Sequence, residues 1–570
     1  MKKQKKPTLE QINSAFQKCL SFNTQIDLYD NVEVNERFFV GDQWAGIQAH
    51  GMPTPTFNFL KQVAMFQVAT IASDNMAMQA SIMSSVLPTP DDELEQVADV
   101  ISKQFANIME QEKIAAKCRD YLRNAAVDGD GCIHFWFDPT QENGQMYKGE
   151  IKAEVLENTR VHFGNPNSRD VQSQPYIIIS KREIADEVKY RAEELHEAGL
   201  NKVTDTDIIR PDNESYNNQY DAYTSDKVTV MTYYYKNRDT KTIWCVEATQ
   251  QAIIREPYDT EYTMYPLVWL NWDFKHDCYH GQPMLNGLIN NQKIFNQMYA
   301  MIALHMSLGT FPKMAYDKTR IPSWNGAPGM AIAVNGSVDG VAMPISGGQL
   351  DPQVPAILQT FATMTKSFLG ASDAALGNGR ADNTSAIVAL QRAAIAPIEL
   401  TKQAHYQCIE DMGRIWIDIM SAKYGVREVK VTPKLDEMGA QPLGMNVQLE
   451  PVKVGFDFST LRDVRIAIKV DVGASSYWSE IATMQTLDNM LMNGLLTPAQ
   501  YVERLPSGFM PKQAELLKEL KAAVPAAGGA PDGGNEDGGN EMAAALSTEI
   551  PIKGGGGNAA LQRALNKEGV

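Results

Sequence analysis

Three ionisable residues lie close together where a helix is predicted to lead into a strand. Asp128 and Asp130 precede His134, and two carboxylates with one imidazole are residue types that acid–base chemistry uses. A hydrolase or nucleotidyltransferase that uses these three residues is therefore one hypothesis. The run 128–131, DGDG, also resembles the start of a calcium loop, but it lacks the later ligands and the glutamate at position 12. No GxSxG nucleophile motif occurs, so a turn leading into the strand is the favoured interpretation.

A second candidate group is His276, Cys278 and His280, which alternate and would share one side of a strand. A zinc site needs a fourth ligand, and none is near in the sequence, so no metal is predicted. The six cysteines form no CxxC pair, which is typical of reduced, mostly buried thiols. The chain has no GxxxxGK[ST] motif, and the lone GxG at residues 377–379 follows no predicted strand. No cofactor is therefore predicted.

The composition limits the classes of protein that remain. The 52 basic and 69 acidic residues give a net charge of −17, which argues against a basic face that grips nucleic acid. Hydrophobic residues make up 44% of the 570, so wholesale disorder is excluded. The longest nearly apolar stretches are shorter than the roughly 20 residues of a membrane helix. The lysine-rich start lacks the apolar run of a secretory signal, so a cytoplasmic setting without membrane contact is expected.

The elements that must position these residues indicate an α+β fold over residues 1–282. Helical spacing predicts mostly helix over 9–112, including one helix over 57–83. A further predicted helix begins in this range and spans 94–127. Alternating apolar residues predict antiparallel strands after that. The predicted strands are CIHFWFD, GEIKAEVL, residues 176–180, VTVMTYYYK and TIWCVEAT.

Residues 283–423 differ, because long apolar stripes there accompany few charges. A helix is predicted over 283–309, with Pro283 in its first turn, and a second over 351–370. On the first helix, Asn286, Asn290, Lys293, Asn296 and Gln297 are predicted to lie on faces other than the apolar stripe. Ten basic and nine acidic residues give residues 283–423 a net charge of only +1. The stripes exceed what one chain can cover, which favours packing between copies of the chain.

The connections of these helices are also distinctive. Residues 310–350 are rich in glycine and proline with short β runs, and 371–383 form a loop of small residues. A long helix is predicted over 384–423 with a kink at Pro397, which removes a backbone donor. Residues 424–479 return to β character, 480–524 are helical, and the Gly/Ala-rich 525–570 are predicted to be flexible.

The order of these features resembles that of tailed-bacteriophage portal proteins, the head-to-tail connectors. ERFFVGDQW, DGDGCIHFWFD and EVLENTRVHFGNPNSRD are similar to the outer part of such a subunit. YPLVWLNWDFKHDCYHGQPMLNGLINNQKIFNQMYAMI resembles the entry to a channel-lining stem helix, and GASDAALGNGRADNTSAIVALQ a tunnel loop with the start of a kinked helix. KVDVGASSYWSEIATMQTLDNMLMNGLLTPAQYVERL resembles the return toward the crown. The resemblance covers about residues 9–520 as an ordered set; the short helical end and the Gly-rich tail depart from it.

The resemblance implies a mainly helical, portal-like α+β subunit with a defined domain order. The implied parts are a wing (1–282), a first stem helix (283–309), a clip lobe (310–350), a second stem helix (351–370), a tunnel loop (371–383), a long kinked helix (384–423), a β return to the wing (424–479), crown helices (480–524) and a flexible tail (525–570). It also implies a homo-oligomeric ring, usually of twelve chains, at a capsid vertex of the virion, assembled in the host cytoplasm. Double-stranded DNA passes through the ring during genome packaging and ejection. The implied protein partners are the large terminase, a head–tail adaptor or tail proteins, and the major capsid and scaffolding proteins, and no catalytic activity is implied.

Particular residues follow from this assignment. Stem packing is assigned to Leu288, Phe295, Ile302, Phe361 and Phe368, and Trp324 is a candidate anchor of the clip interface. The tunnel-loop residues placed at the DNA channel are Asp373, Gly377, Asn378, Gly379, Arg380, Asp382 and Asn383. A different virion structural protein, such as a minor capsid or injection protein, stays open as a further hypothesis, and ring closure distinguishes the two.

Overall fold

A computed structural model describes residues 5–48, 51–72, 76–85, 91–145, 147–212, 226–310, 313–321, 323, 332–345, 353–368, 398–431, 452–472, 487, 490–492 and 501–502. The chain divides into two compact units, Met1–Gln441 with Val447–Asp488, and Pro442–Asn446 with Asn489–Val570. Every site discussed below lies in the first unit. Within the described ranges, no helix combines the length and the apolar character needed to span a bilayer.

The first three helices are α1 (Leu9–Gln25), α2 (Leu28–Val40) and α3 (Phe59–Ala72). The predicted helix over 57–83 is wrong in its second half, because Met76–Ser85 forms strand β1. This strand pairs antiparallel with the distant β14 (Val464–Val472). Apolar and polar residues alternate only over residues 78–82 of this strand, and pairing with β14 outweighs the local helical spacing.

The single helix predicted over 94–127 is instead two, α4 (Asp91–Gln111) and α5 (Ile114–Asp128). Lys113 separates them with a left-handed φ of 50°. The break leaves the Glu112 carboxylate beside strand β3 (Glu150–Leu156), where it accepts hydrogen bonds from the Ala153 N–H and the Lys152 Nζ. This long-range contact is absent from the helical periodicity, so the sequence did not indicate the break.

Two antiparallel sheets follow, and both predicted hairpins are confirmed. CIHFWFD lies in β2 (Asp130–Asp138), which pairs with β3 on one side and with β9 (Leu267–Asn271) on the other. The second sheet is a meander in the order β4-β5-β6-β7-β8, and VTVMTYYYK pairs with TIWCVEAT between β6 and β7. Its strands and the helix after β5 are β4 (Val161–Phe163), β5 (Tyr176–Ile184), α6 (Ala185–Glu197), β6 (Lys227–Lys236), β7 (Ile243–Ala248) and β8 (Ile253–Asp259).

The long-helix module begins later than predicted, since residues 284–288 form turns and helix α7 spans Ile289–Thr310. Two short strands, β10 (Lys313–Tyr316) and β11 (Ala342–Ile345), then form a hairpin in the predicted clip. The remaining elements are α8 (Gln353–Phe368), α9 (Glu399–Lys423), β12 (Val426–Val431) and its antiparallel partner β13 (Val452–Asp457). The predicted β character after residue 424 is confirmed in β12–β14.

The main apolar core brings together elements from widely separated parts of the chain. Trp416 of α9 is fully buried, and its ring lies 5.9 Å from that of Phe105 on α4 and 5.7 Å from that of Phe135 on β2. We use the term body for the two large sheets together with α1, α4, α5 and α9. Helix α9 is therefore a structural part of the body, although it follows α7 and α8 in sequence.

Candidate functional site: the stem helices and their root

Helices α7 and α8, for which we keep the predicted name stem helices, contain no acidic residue at all. Helix α7 carries one lysine and one histidine in 22 residues, and α8 carries one lysine in 16. The chain as a whole has 69 acidic residues and a net charge of −17. An anion beside either stem helix would therefore meet no fixed negative charge from that helix.

The inner side of the stem packs on α2 and α3. Phe295 is 8% exposed, and its ring meets those of Phe59 and Tyr299 at centroid distances of 5.5 and 5.2 Å. Of the residues predicted to pack the stem, Leu288, Phe295 and Phe361 belong to this cluster within the chain, and Ile302 is half-buried. The Phe368 side chain lies outside the described residues.

A buried chain of amides accompanies these rings. Asn296 donates to Gln43 Oε1 at 2.6 Å, and Gln292 donates to Asn296 Oδ1 at 2.9 Å and to the Phe57 carbonyl at 2.8 Å. Asn296 was predicted to lie on a face other than the apolar stripe, and in the structure its side chain is almost fully buried. Buried amides need partners, so this chain fixes the rotation of α7 against the segments around Gln43 and Phe57.

The outer side of the stem is apolar and exposed in the single chain. Ile294 and Met301 of α7 are 47% and 48% exposed, and Ile357 and Met364 of α8 are 55% and 54% exposed. Each pair is spaced seven residues apart, so its members lie on one side of their helix. An apolar side of this kind, with no carboxylate on its helix, suits contact with another protein surface.

The stem is rooted in the body at a point where two chain segments touch. The Gly281 backbone is so close to the body that a Cβ there would lie 2.7 Å from the Asp273 carbonyl and 2.8 Å from that of Gly129. The Trp272 N–H donates to the Gly129 carbonyl, and the Met284 N–H donates to that of Ala126. We call residues 271–284 the root, because they connect β9 to α7.

Asp130 lies at the centre of this root and is fully buried. Its Oδ1 accepts from the Asn271 side chain at 2.7 Å and from the Gly281 N–H at 2.6 Å. Its Oδ2 lies 2.7 Å from His280 Nδ1 and 3.3 Å from the Asn158 amide nitrogen. The carboxylate is thus satisfied from four sides by protein groups.

The same network continues into α1 and the meander sheet. His280 Nε2 lies 3.3 Å from Asn23 Oδ1, and the Asn23 amide lies 3.4 Å from His162 Nδ1. His162 Nε2 in turn lies 3.2 Å from Ser180 Oγ. Burial, aided by the charge of His280, lowers the pKa of His162 to about 3, so this ring is neutral at physiological pH.

The structure does not assemble the predicted acid–base cluster of Asp128, Asp130 and His134. His134 Nε2 is hydrogen-bonded to the Tyr234 hydroxyl at 3.0 Å, and burial lowers the pKa of His134 to about 3. Asp128 lies beside Glu36, and burial together with that carboxylate raises its pKa well above the ordinary value. Asp130 is paired with His280 instead, so the three side chains serve separate contacts.

The alternating group at residues 276–280 does not share one side either. His276 is exposed, whereas Cys278 and His280 are buried, since the segment is a turn and not a strand. No group of three or more His, Cys, Asp or Glu side chains suited to a metal occurs within the described ranges. The sequence did single out Asp130 and His280, but in separate groups, and it gave no signal for Asn23, His162 or Asn271.

Several predicted site residues lie outside the described residues and stay predictions. They are the clip residue Trp324, the kink residue Pro397, and the tunnel-loop residues Asp373, Gly377, Asn378, Gly379, Arg380, Asp382 and Asn383.

Comparison with known proteins gives one family. A family model described as "Phage P22-like portal protein" matches residues 14–505, which include every helix and strand given above from α2 to β14 and most of α1. No curated protein matches the chain.

Proposed function

Because the chain belongs to the phage P22-like portal protein family, we propose that copies of it close into a ring, of twelve subunits, around a channel for double-stranded DNA. A portal protein family is one of structural proteins, which supports a non-enzymatic role and a location at the capsid vertex of a phage. Three points are proposed beyond the family: closure of the ring, the path of DNA through the ring, and the proteins that dock on the ring.

The absence of acidic residues from α7 and α8 is the observation that carries the channel proposal. Double-stranded DNA carries one negative charge per about 1.7 Å, so carboxylates along its path would repel it. Many lysines would instead bind phosphates and hold the DNA in place. One lysine on each stem helix and no acid is a composition that allows passage without strong attraction or repulsion.

The exposed apolar residues of the stem supply the contact between subunits. Ile294 and Met301 on one helix, and Ile357 and Met364 on the other, are half-exposed in the single chain. In a ring each subunit meets two neighbours, and burial of these side chains at both contacts favours closure. Phe295 and Phe361 pack inside their own chain and serve its stability instead.

Assembly of the purified chain tests this proposal. Negative-stain images and native mass spectrometry should show rings with a central hole for the wild type. Met301→Asp and Ile357→Asp should abolish rings while leaving the monomer folded, because each buries an unpaired charge at the contact. Tyr190→Asp on α6 is the matched control, since Tyr190 is also exposed and apolar but lies far from the stem in sequence and fold. Rings that persist in both stem variants would contradict the assignment of the contact.

The DNA path requires a second experiment, directed at the tunnel loop. Arg380 is the only basic residue of 371–383, and Asp373 and Asp382 accompany it, so its attraction to phosphate is weak and sensitive to salt. Arg380→Ala and a deletion of residues 376–380 should assemble normally but impair DNA packaging or retention. Wild-type packaging and retention in both would remove the loop from the proposed channel.

The proposed protein partners are a large terminase during packaging, a head–tail adaptor or tail proteins afterwards, and the major capsid and scaffolding proteins during assembly in the host cytoplasm. Trp324 in the clip is the proposed anchor for the terminase or the adaptor. Binding of both partners by Trp324→Ala rings at wild-type affinity would contradict that role.

A further inference from the structure

We propose that Asp130 and His280 form a positioning pair that sets the direction in which α7 leaves the body, and thereby the number of subunits that close the ring. This inference rests on the proposed ring, and it concerns residues that touch neither DNA nor a neighbouring subunit. It follows from where the pair lies, how completely it is bonded, and how far α7 extends from it.

The pair lies in the root, just before the Met284–Ala126 hydrogen bond and the packing that holds α7 itself. His280 and Gly281 both bond to Asp130, and Pro283 follows two residues later. Beyond them, the turns at 284–288 lead into α7. The position of the Asp130 carboxylate therefore determines where the root turns away from the body.

The carboxylate is held from more than one direction, so it cannot shift without breaking bonds. Asn271 reaches it from the end of β9, and Asn158 reaches it from the short turn before β4. His280 extends the contact to Asn23 of α1, which links the root to the first helix of the chain. Three separate parts of the body thus converge on one buried charge.

The backbone around the pair leaves no free space for an alternative path. A Cβ at Gly281 would meet carbonyl oxygens at 2.7 and 2.8 Å, and one at Gly129 would meet the Gly281 carbonyl at 2.9 Å. Non-bonded carbon–oxygen contacts shorter than about 3 Å are strongly repulsive, so the two segments are already at closest approach. A change at the pair would consequently move the root outwards and would not be absorbed locally.

The length of α7 amplifies such a movement. Its 22 residues extend about 33 Å at a rise of about 1.5 Å per residue. The rotation between neighbours in a closed ring is a full turn divided by the subunit number, so twelve and thirteen subunits differ by about 2° per neighbour. A change of about 2° in the direction of α7 displaces its far end by about 1 Å over that length.

Asp130→Asn is the most informative change, because it keeps the shape and removes the charge. One acceptor oxygen becomes an NH2 group, which faces either the Asn271 and Gly281 donors or the His280 and Asn158 side chains. The NH2 group of the new asparagine then faces other hydrogen-bond donors, and the root loses a hydrogen bond on that side. His280→Leu removes one hydrogen bond to the Asp130 carboxylate and also breaks the link to Asn23.

The primary measurement is the subunit number of rings formed by the purified full-length chain, by native mass spectrometry. The wild type should give one dominant number, whereas Asp130→Asn and His280→Leu should shift or broaden the distribution by at least one subunit. Ile254→Ala is the control for stability, because it removes a fully buried side chain from the small cluster under α6, away from the root. His276→Gln is the control for the loop itself, since the His276 side chain is 90% exposed.

A second measurement does not need the ring. Spin labels at Gln17→Cys on α1 and Gln297→Cys on α7, both exposed positions, report the direction of α7 relative to the body in the unassembled chain. The six native cysteines are buried, so the introduced ones label selectively. The distance distribution should be narrow in the wild type and in Ile254→Ala, and shifted or broadened by Asp130→Asn.

The outcomes separate the two proposals. Rings of unchanged subunit number in both root variants, or an unchanged spin-label distance, would overturn the positioning role even if stability fell. An equal change of subunit number in Ile254→Ala would also overturn it, because loss of stability alone would then suffice. Failure of the wild type to form any ring would refute the proposed function, and the inference would fall with it.

Discussion

Replacement of Phe295 by alanine should loosen α7 from α2 and α3, and this effect can be measured in the unassembled chain. The ring is 8% exposed and lies 5.5 Å from Phe59 and 6.2 Å from Phe57 in edge-to-face geometry, with Tyr299 at 5.2 Å. Removal of a buried phenylalanine costs about 3–5 kcal/mol, and each aromatic pair adds about 0.5–1.5 kcal/mol beyond area burial. We therefore expect the upper half of that range for the free energy of local opening.

Hydrogen exchange measured by mass spectrometry is the appropriate assay, because a chain of this size and composition does not unfold in a single two-state step. Peptides from α3 and α7 in the unassembled chain should exchange at least about 700-fold faster in Phe295→Ala, since about 4 kcal/mol is nearly three factors of ten at about 1.4 kcal/mol each. Peptides from the meander sheet should be unchanged. Ile294→Ala, one residue away and 47% exposed, should change exchange by less than about threefold.

Acceleration of less than tenfold in Phe295→Ala, or an equal effect in Ile294→Ala, would refute the packing argument. The first result would mean that the cluster around Phe295 contributes little to holding α7. The second would mean that α7 is rotated relative to the described geometry, so that the apolar outer face is not available for a neighbour.

Three further predictions concern stability. Burial lowers the pKa of His134 and His162 from 6.5 to about 3, so the unfolded chain binds protons that the folded chain does not. Thermal melts should therefore show the melting temperature falling as the pH drops from about 6.5 towards 3, and His134→Gln should reduce this dependence on pH. An unchanged dependence in that variant would contradict the burial of a neutral His134. Gly281→Ala should reduce the melting temperature and soluble yield sharply, while Gly455→Ala, whose nearest contact is 3.8 Å, should not; equal behaviour would argue against the close approach at the root. Asn296→Ala leaves Gln43 and Gln292 short of a partner and should lower the free energy of local opening of α7, measured by hydrogen exchange, by about 1–3 kcal/mol. The exposed Asn290→Ala should lower it by less than about 0.5 kcal/mol, and similar costs would mean that the amide chain is not buried.

The sequence predicted those parts of the fold whose partners are close in the chain. The β2–β3 and β6–β7 hairpins are examples, because alternation and a local turn specify both strands and their pairing. Strand β1 was assigned to a helix, since its partner β14 lies almost 400 residues away and local spacing carries no information about it. The α+β class and the family could be predicted for a different reason. Many sequence patterns, each unspecific by itself, occur along the chain in the order that the family shows.

Prediction of the candidate site from sequence is limited in the same way, because its contacts join distant parts of the chain. The apolar stripes of the stem were visible, but the sequence could not tell which apolar residues pack inside the chain and which remain exposed, as Phe295 and Ile294 illustrate. Asp130 and His280 were each noticed for chemistry that they do not perform together with their neighbours in sequence. Their pairing depends on the meeting of β2 with the root, across 150 residues, which no short motif reports.

The pairing of β1 with β14 has a consequence for how the chain folds during its synthesis on the ribosome. Met76 cannot pair with Val472 until about 400 further residues have been synthesised, and Trp416 enters the core only about 300 residues after Phe105. Until then the nascent chain exposes the apolar surfaces of α4, α5 and β2, which makes it a substrate for chaperones and a hazard for aggregation. A product truncated before β14 therefore leaves β1 without its partner strand, and one truncated before Trp416 also lacks part of the main core.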